Sequence, residues 1–338
     1  MGLIGQGVTT FVLAVVASAV LTWSWIVFAR SRRIQDEPGQ RRLHLSATPR
    51  GGGVAILIVL AFGLLWLGRQ EALAGPLAWL AVGVALFGLL GLADDTLQVS
   101  TAAKFALQLL AAAMMILPMC IDWGIAWPWM AVLVLACAYV VNIWNFMDGS
   151  NGLVAVQSLL IALALAFWPG QPAHLGLAAI LLAGACAGFL PFNLPVARVF
   201  LGDCGSHVLG VAVFGLLLLD WQAGVLGWRQ GLLLGSAMLL DSGLTLLRRL
   251  LAGKPVWRAH REHLYQYAVR VGHSHLGVCI CYGAFTIAVI GLAIAAERIR
   301  SSLVMSGLLI FSWMAGTILY FALRGRWLGQ SHRGRGHG

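Results

Sequence analysis

Long apolar stretches, separated by short polar segments, repeat along most of this chain. Most approach the length of about 20 helical residues that crosses the hydrocarbon core of a bilayer. They lack the period-two alternation that a membrane β-barrel requires, so the pattern predicts helices. Eleven spans are predicted, with ten as the alternative count, at residues 7–29, 51–68, 76–93, 102–118, 127–146, 152–168, 174–191, 207–220, 230–249, 276–296 and 301–323. The predicted fold is an all-α, polytopic membrane helix bundle, with one domain over 1–323 and a short basic tail at 324–338.

Composition supports a membrane protein. Of the 338 residues, 60% are hydrophobic and 10% are charged, whereas soluble domains carry charge on about a quarter of their positions. The six cysteines have the spacing of neither a disulfide framework nor a zinc site, so we expect them to be packing residues. No Lys or Arg precedes the first span, so we expect it to remain as a helix rather than act as a secretory signal. The net charge of +10 suits anionic lipid headgroups, and without a nucleic-acid motif no nucleic-acid partner is expected.

The distribution of Lys and Arg predicts how the bundle is oriented. Loops that follow odd-numbered spans, together with the tail, contain 18 of the 22 basic residues, and the other loops contain 4. The positive-inside rule therefore puts the odd loops and the C-terminus in the cytoplasm and the N-terminus outside. Asp94, Asp95, Asp148 and Asp203 all fall in odd loops, with Glu262 nearby. We expect these distant carboxylates to form one composite site at the cytoplasmic face.

Asp94 and Asp95 are adjacent acids at the end of the third span. They repel each other unless a proton or a cation lies between them, so a divalent metal ion or a cationic group is the natural partner. A solvated loop start is the alternative. Lys104, early in the next span, could pair with the two acids or bind an anionic substrate.

The segment "NIWNFMDGSNGL", residues 142–153, interrupts the apolar pattern with amides, an acid and glycines. Asn142, Asn145 and Asp148 are spaced by three, so on a continuing helix they would share one face. Asn151 lies in the same polar turn. The alternative is a Gly/Asn turn with a side-chain cap.

In "FNLPVARVFLGDCGSHVLG", residues 192–210, Asp203 lies between two glycines at a predicted helix start. Backbone amides at a helix start beside a carboxylate suit a phosphate carried on Mg²⁺. A helix N-cap is the alternative for Asp203. Arg198 could bind phosphate or serve as a membrane anchor.

A basic loop, "KPVWRAHREHLYQYAVRVGHSH" at residues 254–275, contains His260, His263, His273 and His275. Zinc binding would need a Cys or an acid at the usual ligand spacing to complete a four-ligand set, and the loop supplies none. Binding of a phosphate or pyrophosphate suits the His and Arg donors better, with a solvated loop as the alternative.

Charged residues occur at two further places in the sequence. Asp241 lies within a predicted span, where an ionisable residue is a functional hypothesis by default. It could instead lie near the interface or pair with Arg248 or Arg249. The segment "RRLHLSATPRGGGVAI" brings His44, Arg50 and a triple glycine to the cytoplasmic face, where a bare backbone can approach a helix or an anion; a simple helix start is an equal alternative.

Taken in order, these motifs resemble the polyprenyl-phosphate N-acetylhexosamine-1-phosphate transferase family. The resemblance rests on the ordered set "LADD", "NFMDGSNGL", "FLGDCGS" and "AHREHLYQ" and covers nearly the whole chain. The forms "TPRGGG" and "HREHLYQ" are most similar to the O-antigen branch, which handles N-acetylfucosamine, N-acetylquinovosamine, N-acetylglucosamine or related sugars.

The resemblance assigns roles to residues. It implies that Mg²⁺, with Mn²⁺ as a possible substitute, is held by Asp203 with help from Asp94 and Asp95. The catalytic candidates are Asp94, Asp95, Asp148, Asp203, His260 and His263. The substrate-binding candidates are Lys104, Asn142, Asn145, Asn151, Arg198, Arg261, His44 and Arg50. Asn142 and Asn145 are assigned to the nucleotide, and the loop residues around Arg261 to the diphosphate or sugar.

Three residues depart from the family pattern. Gln98 stands where the muramoyl-peptide branch has a second Lys, which argues against a muramoyl-pentapeptide substrate. Asn151 replaces a second Asp, and His207 replaces a small residue. Asn151 weakens any role that needs a second charge in its loop.

The implied reaction moves a sugar with its phosphate from a UDP-N-acetylhexosamine to undecaprenyl phosphate and releases UMP. It is the first membrane step of O-antigen, lipopolysaccharide or related cell-envelope synthesis in the bacterial inner membrane. A monomer and a homodimer both stay open. The rival interpretation is a polytopic transporter, but carriers place their ion sites near the bilayer midplane, whereas these polar residues gather at one face. A non-catalytic scaffold is a third interpretation.

Overall fold

A computed structural model describes residues 2–36, 47–69, 74–97, 99–256, 258, 260–299 and 301–333. Over these residues it contains thirteen α-helices and one antiparallel pair of two-residue strands. The helices are α1 Leu3–Ser31, α2 Gly53–Gly68, α3 Ala74–Leu97, α4 Thr101–Asp122, α5 Trp127–Met147, α6 Leu153–Ala166, α7 Ala173–Asn193, α8 Gly202–Gln222, α9 Trp228–Leu234, α10 Ser236–Leu251, α11 Leu264–Arg270, α12 His275–Glu297 and α13 Ser302–Arg333. The strands are β1 Gln35–Asp36 and β2 Thr48–Pro49. The predicted all-α, polytopic class is confirmed.

The predicted spans coincide with helices. Within the described residues, eight helices are long and apolar enough to cross a membrane, and the bent pair α9 and α10 makes a ninth if counted as one span. The two remaining predicted spans are the shorter apolar helices α2 and α6.

Three of the predicted spans differ from the structure in ways that change the picture. The span predicted at 230–249 is broken into two helices, because α9 and α10 meet at an angle of 80°. The break falls at Gly235, and glycine loses the most conformational freedom of any residue when it becomes helical. Helix α8 begins at Gly202 instead of 207, which puts Asp203 in its first turn. Helix α13 continues to Arg333, past the predicted boundary at 323.

Helix α8 is the centre of the bundle and is buried along most of its length. Neighbouring helices approach its start through residues without side chains. A Cβ added to Gly91 of α3 would lie 2.4 Å from the carbonyl oxygen of Asp203, and one added to Gly53 of α2 would lie 2.1 Å from Cα of Gly205. Small residues let membrane helices approach closely. The glycines thus bring α2 and the end of α3 against the first turn of α8.

Helices α1 and α7 pack against each other in the same way. The hydroxyl of Ser18 donates to the carbonyl oxygen of Ala185 at 2.7 Å. A Cβ on Gly188 would lie 2.3 Å from the carbonyl oxygen of Val15. All six cysteines are free, and five of them are buried, in agreement with their predicted packing role.

Candidate functional site

An acidic centre forms where the end of α3 and the starts of α4 and α8 meet. It consists of Asp94, Asp95 and Asp203, with Lys104 and Arg50 between them. The amine of Lys104 lies 2.5 Å from Oδ2 of Asp94 and 2.9 Å from Oδ2 of Asp203. The structure therefore brings together carboxylates that are more than a hundred residues apart, as the sequence predicts. The cation between two of them is a lysine ammonium.

Asp95 is bonded to the backbone at the start of α8. Its two oxygens accept hydrogen bonds from the amides of Asp203 and Cys204, each at 3.1 Å. Nε of Arg50 lies 2.8 Å from Oδ1 of Asp95, whose side chain is only 5% exposed. A negative charge beside the first amides of a helix is favourable, because those amides lack partners within the helix. Asp95 thus caps the start of α8, a role that the sequence analysis gave as the alternative for Asp203.

Asn145 of α5 orients the carboxylate of Asp203. Its side-chain amide donates to Oδ1 of Asp203 at 3.0 Å and to the hydroxyl of Ser206 at 3.1 Å. Nη2 of Arg50 also lies 3.5 Å from the same oxygen of Asp203. The Asp203 carboxylate is therefore contacted from α4, α5 and the segment before α2.

A polar layer lies one helical turn from the acidic centre, and sequence reasoning missed its middle member, Gln108. The amide of Asn142 donates to Oε1 of Gln108 at 2.7 Å, and Nε2 of Gln108 lies 3.3 Å from Nε2 of His207. Gln108 and His207 are fully buried. Each lies four positions after a charged residue of the centre, Lys104 or Asp203, and this i, i+4 spacing is the signal that could have found Gln108.

Asp148 follows the last residue of α5 and is partly buried beside the centre. Burial raises the pKa of its carboxyl well above the usual range, and the nearby carboxylates of Asp203 and Asp95 raise it further. The carboxyl consequently keeps its proton to a higher pH than an ordinary Asp and can donate a hydrogen bond to an anion.

Two predicted substrate contacts have other partners in the structure. The side chain of Asn151 donates to the carbonyl oxygen of Pro195 at 3.4 Å, and its backbone amide lies 3.3 Å from Nδ1 of His275. Arg198 donates to the carbonyl oxygen of Pro191 at 2.7 Å and lies over the ring of Phe192. These contacts hold the loops around the centre. His44 and Gln98 lie outside the described residues.

The histidine loop, residues 260–263 before α11, is held by ion pairs. Glu262 lies 2.5 Å from Nη2 of Arg248, 2.5 Å from Nη1 of Arg249 and 3.2 Å from Nζ of Lys254. Burial alone would raise the pKa of Glu262, but Arg248 and Lys254 outweigh it and hold that pKa at about 2. Arg248 and Arg249 thus pair with Glu262, and the alternative in which they pair with Asp241 is wrong.

The ring of His263 stacks against α5, and the ring of His260 stacks on that of His263. The rings of His260 and His263 are 4.9 Å apart, and the ring of His263 lies 6.3 Å from that of Phe146, which follows Asn145. Burial, together with the neighbouring His263 and Arg249, lowers the pKa of His260 to about 4. His260 is therefore neutral at pH 7. Arg261 is exposed, and its carbonyl oxygen accepts a hydrogen bond from Arg270.

The donor set of the acidic centre suits Mg²⁺. No three His, Cys, Asp or Glu side chains in the described part of the chain are arranged to enclose a metal ion. Mg²⁺, however, prefers oxygen ligands and is commonly held by one or two carboxylates together with substrate phosphates. Asp94 and Asp203 already hold a cation between them in the ammonium of Lys104.

Comparison with known proteins agrees with this geometry. Residues 77–220 match the model of glycosyl transferase family 4, a range that runs from α3 to the end of α8. The phospho-N-acetylmuramoyl-pentapeptide-transferase of Moorella thermoacetica is 31% identical over 62% of this chain and 74% of its own length. The probable undecaprenyl-phosphate N-acetylglucosaminyl 1-phosphate transferase of Bacillus subtilis is 28% identical over 73% of each chain. The decaprenyl-phosphate N-acetylglucosaminephosphotransferase of Mycolicibacterium smegmatis is 29% identical over 80% of this chain and 79% of its own. The protein described here is thus a multi-span membrane protein that belongs to glycosyl transferase family 4.

Proposed function

We propose that this protein transfers a sugar-1-phosphate from a UDP-N-acetylhexosamine to undecaprenyl phosphate and releases UMP. The observation that carries the proposal is the convergence of Asp94, Asp95 and Asp203 around two cationic side chains at the start of α8. The names of the relatives support it, because they describe transfer of a sugar phosphate to a polyprenyl phosphate.

The chemical difficulty of this reaction is that one anion must attack another. A phosphate oxygen of the lipid forms a bond to the β-phosphorus of the UDP-sugar, and the bond between that phosphorus and the bridging oxygen breaks as UMP leaves. A phosphate monoester has a second pKa near 6, so the attacking oxygen is largely ionised at neutral pH and needs little help from a base. Neutralising charge and aligning the two phosphates should therefore dominate catalysis.

The residues of the acidic centre fit these needs. Lys104 and Arg50 present their positive charges beside Asp203, where a diphosphate would approach. Mg²⁺ held by Asp203 and Asp94 would supply further charge neutralisation for the diphosphate and the leaving UMP. Asp95 keeps its oxygens on the amides of α8, so its role here is to position Asp203.

The remaining candidates surround this centre. Asp148, with its raised pKa, can donate a hydrogen bond to a phosphate oxygen. The buried ring of His263 lies against Phe146, beside the residue that orients Asp203, and the partly exposed ring of His260 stacks on it, which suits binding of the sugar or diphosphate through His260. Asn142 lies deeper, among the buried polar groups around Gln108, and contributes to the support of the site.

We further propose that the protein lies in the bacterial inner membrane with its C-terminus and the acidic centre facing the cytoplasm. The 18 to 4 distribution of basic residues supports this orientation. The product would start a cell-envelope polysaccharide. The "TPRGGG" and "HREHLYQ" forms favour O-antigen, whereas several relatives are named as N-acetylglucosamine transferases, which makes UDP-N-acetylglucosamine the first donor to test.

The test uses purified protein in detergent with Mg²⁺, undecaprenyl phosphate and a panel of UDP-amino sugars. We expect UMP release that depends on the lipid phosphate. Asp203→Asn should lower the rate about 100-fold or more, which is the scale on which loss of a preorganised charged group acts in catalysis. Asp220→Asn is the matched control, because Asp220 is a buried acid near the other end of α8. Absence of UMP with every donor would contradict the proposal, since a transporter needs sealed vesicles and forms no UMP.

A further inference from the structure

Asp241 is a buried carboxylate that the proposed reaction does not use. It lies in α10 just after the bend from α9 and is 2% exposed. Its Oδ1 accepts a hydrogen bond from the amide of Leu264 at 2.8 Å, and its Oδ2 accepts one from the amide of Tyr265 at 3.2 Å. The hydroxyl of Tyr282 in α12 donates to Oδ2 at 2.6 Å. A carboxylate this buried needs such donors, and here two of them are the first amides of α11.

Contacts through the end of α5 connect the first turn of α11 to the acidic centre. Tyr265 is 1% exposed, and its hydroxyl donates to the carbonyl oxygen of Phe146 at 2.9 Å. A Cβ on Gly149 would lie 2.3 Å from that hydroxyl, so the turn after α5 fits closely around it. The residue before Phe146 is Asn145, which donates to Asp203. Contacts therefore run without a gap from Asp241 to the catalytic carboxylate.

The residue that precedes α11 is His263. Its side chain is 3% exposed, and its Nδ1 lies 3.7 Å from Oδ1 of Asp241. The same ring stacks on His260 and on Phe146. A shift of the first turn of α11 would therefore move both histidine rings relative to α5.

We propose that Asp241 is a positioning residue that fixes the start of α11 and thereby holds His260 and His263 where the nucleotide sugar binds. This inference rests on the proposed function for the identity of the ligand. The ion pairs of Glu262 hold the loop from one side, and Asp241 fixes its junction with α11.

The kinetic test compares Asp241→Asn with Asp220→Asn in purified protein, with UDP-N-acetylglucosamine or whichever donor proves active. The asparagine has one oxygen for two amides and turns an N–H donor toward the other. Because one amide loses its hydrogen bond to a charged acceptor, we expect the KM for the nucleotide sugar to rise about tenfold or more. The KM for undecaprenyl phosphate should stay within about twofold. Asp220 is 1% exposed and bonded to Gln171, so its variant tests loss of a buried acid away from the loop. An unchanged KM, or equal rises for both substrates, would overturn the proposal.

A second measurement is independent of turnover. Hydrogen exchange of the amides of Leu264 and Tyr265 should become at least about tenfold faster in Asp241→Asn and stay unchanged in Asp220→Asn. This result is expected even if no UDP-sugar is a substrate, so failure of the positioning role and failure of the proposed reaction are distinguishable. If Asp241→Asn does not fold, Tyr282→Phe removes a single donor to Asp241 and should accelerate the same exchange about two- to fivefold. Wild-type exchange in the variant that folds would refute the role.

Discussion

A comparison of Asp95→Asn with Asp203→Asn tests whether Asp95 positions the acidic centre while Asp203 acts in the reaction. The Asp95→Asn variant keeps the size of the side chain but removes its charge and one acceptor. In the wild-type protein the carboxylate binds the amides of Asp203 and Cys204 and pairs with Arg50. The asparagine oxygen can accept from only one of these amides.

The expected loss of stability follows from these contacts. A buried amide left without its acceptor costs about 1–3 kcal/mol. The pair with Arg50 adds up to about 1 kcal/mol, because Arg50 is partly exposed and water screens it. We therefore expect the free energy of unfolding to fall by about 1–4 kcal/mol. Asp203→Asn should lower it by less than Asp95→Asn does, since the Asp203 carboxylate accepts from the side chains of Lys104 and Asn145, which can reorient, and Lys104 keeps its pair with Asp94.

The assay is denaturant unfolding in mixed micelles, run beside the transferase assay. Both variants should lose activity, but only Asp95→Asn should lose stability to this extent. A wild-type free energy of unfolding for Asp95→Asn, or an equal loss for Asp203→Asn, would refute the assignment of Asp95 as the cap of α8.

Two further predictions follow from packing and charge. Gly91→Ala puts a methyl group 2.4 Å from the carbonyl oxygen of Asp203 and should abolish transferase activity. Gly75→Ala is the control in the same helix, because its methyl group meets nothing within 4 Å, and it should keep wild-type activity. Equal activities of the two variants would contradict the close approach of α3 and α8. Glu262 has a pKa of about 2 in the folded protein against an ordinary 4.5, so its stabilisation of the histidine loop is complete above pH 4.5 and is lost as the pH falls toward 2. Protease cleavage within the histidine loop of the wild-type protein should therefore rise as the pH falls over that range, whereas Glu262→Gln should be cleaved readily at every pH. Cleavage that rises identically in both proteins would disprove the role of the Glu262 ion pairs in holding the loop.

Much of the fold could be predicted from the sequence because bilayer thickness sets the length of an apolar helix. All eleven predicted segments are helical, including the bent pair, and the acids predicted to meet at one end of the bundle do meet there. Charge asymmetry between loops assigned Asp94 and Asp203 to the same face although they are distant in the chain.

The details that decide the role of each residue could not be predicted. Hydropathy gives the length of a helix but neither its rotation nor its tilt, so the capping of α8 by Asp95 and the burial of Gln108 depend on tertiary packing. The bend at Gly235 was missed because the apolar pattern continues through it. Three donors to Asp241 come from α11 and α12, beyond the reach of any local pattern.

The most direct test of the central claim follows the phosphorus atoms of the donor. Purified protein is incubated with Mg²⁺, undecaprenyl phosphate and a UDP-N-acetylhexosamine labelled at the β-phosphate, and the label is counted in the lipid and aqueous phases. The acidic centre around Asp203 predicts that the label enters the lipid phase in equal amount to the UMP released, and that Asp203→Asn abolishes both. Label that stays in the aqueous phase, or full lipid labelling by Asp203→Asn, would contradict it.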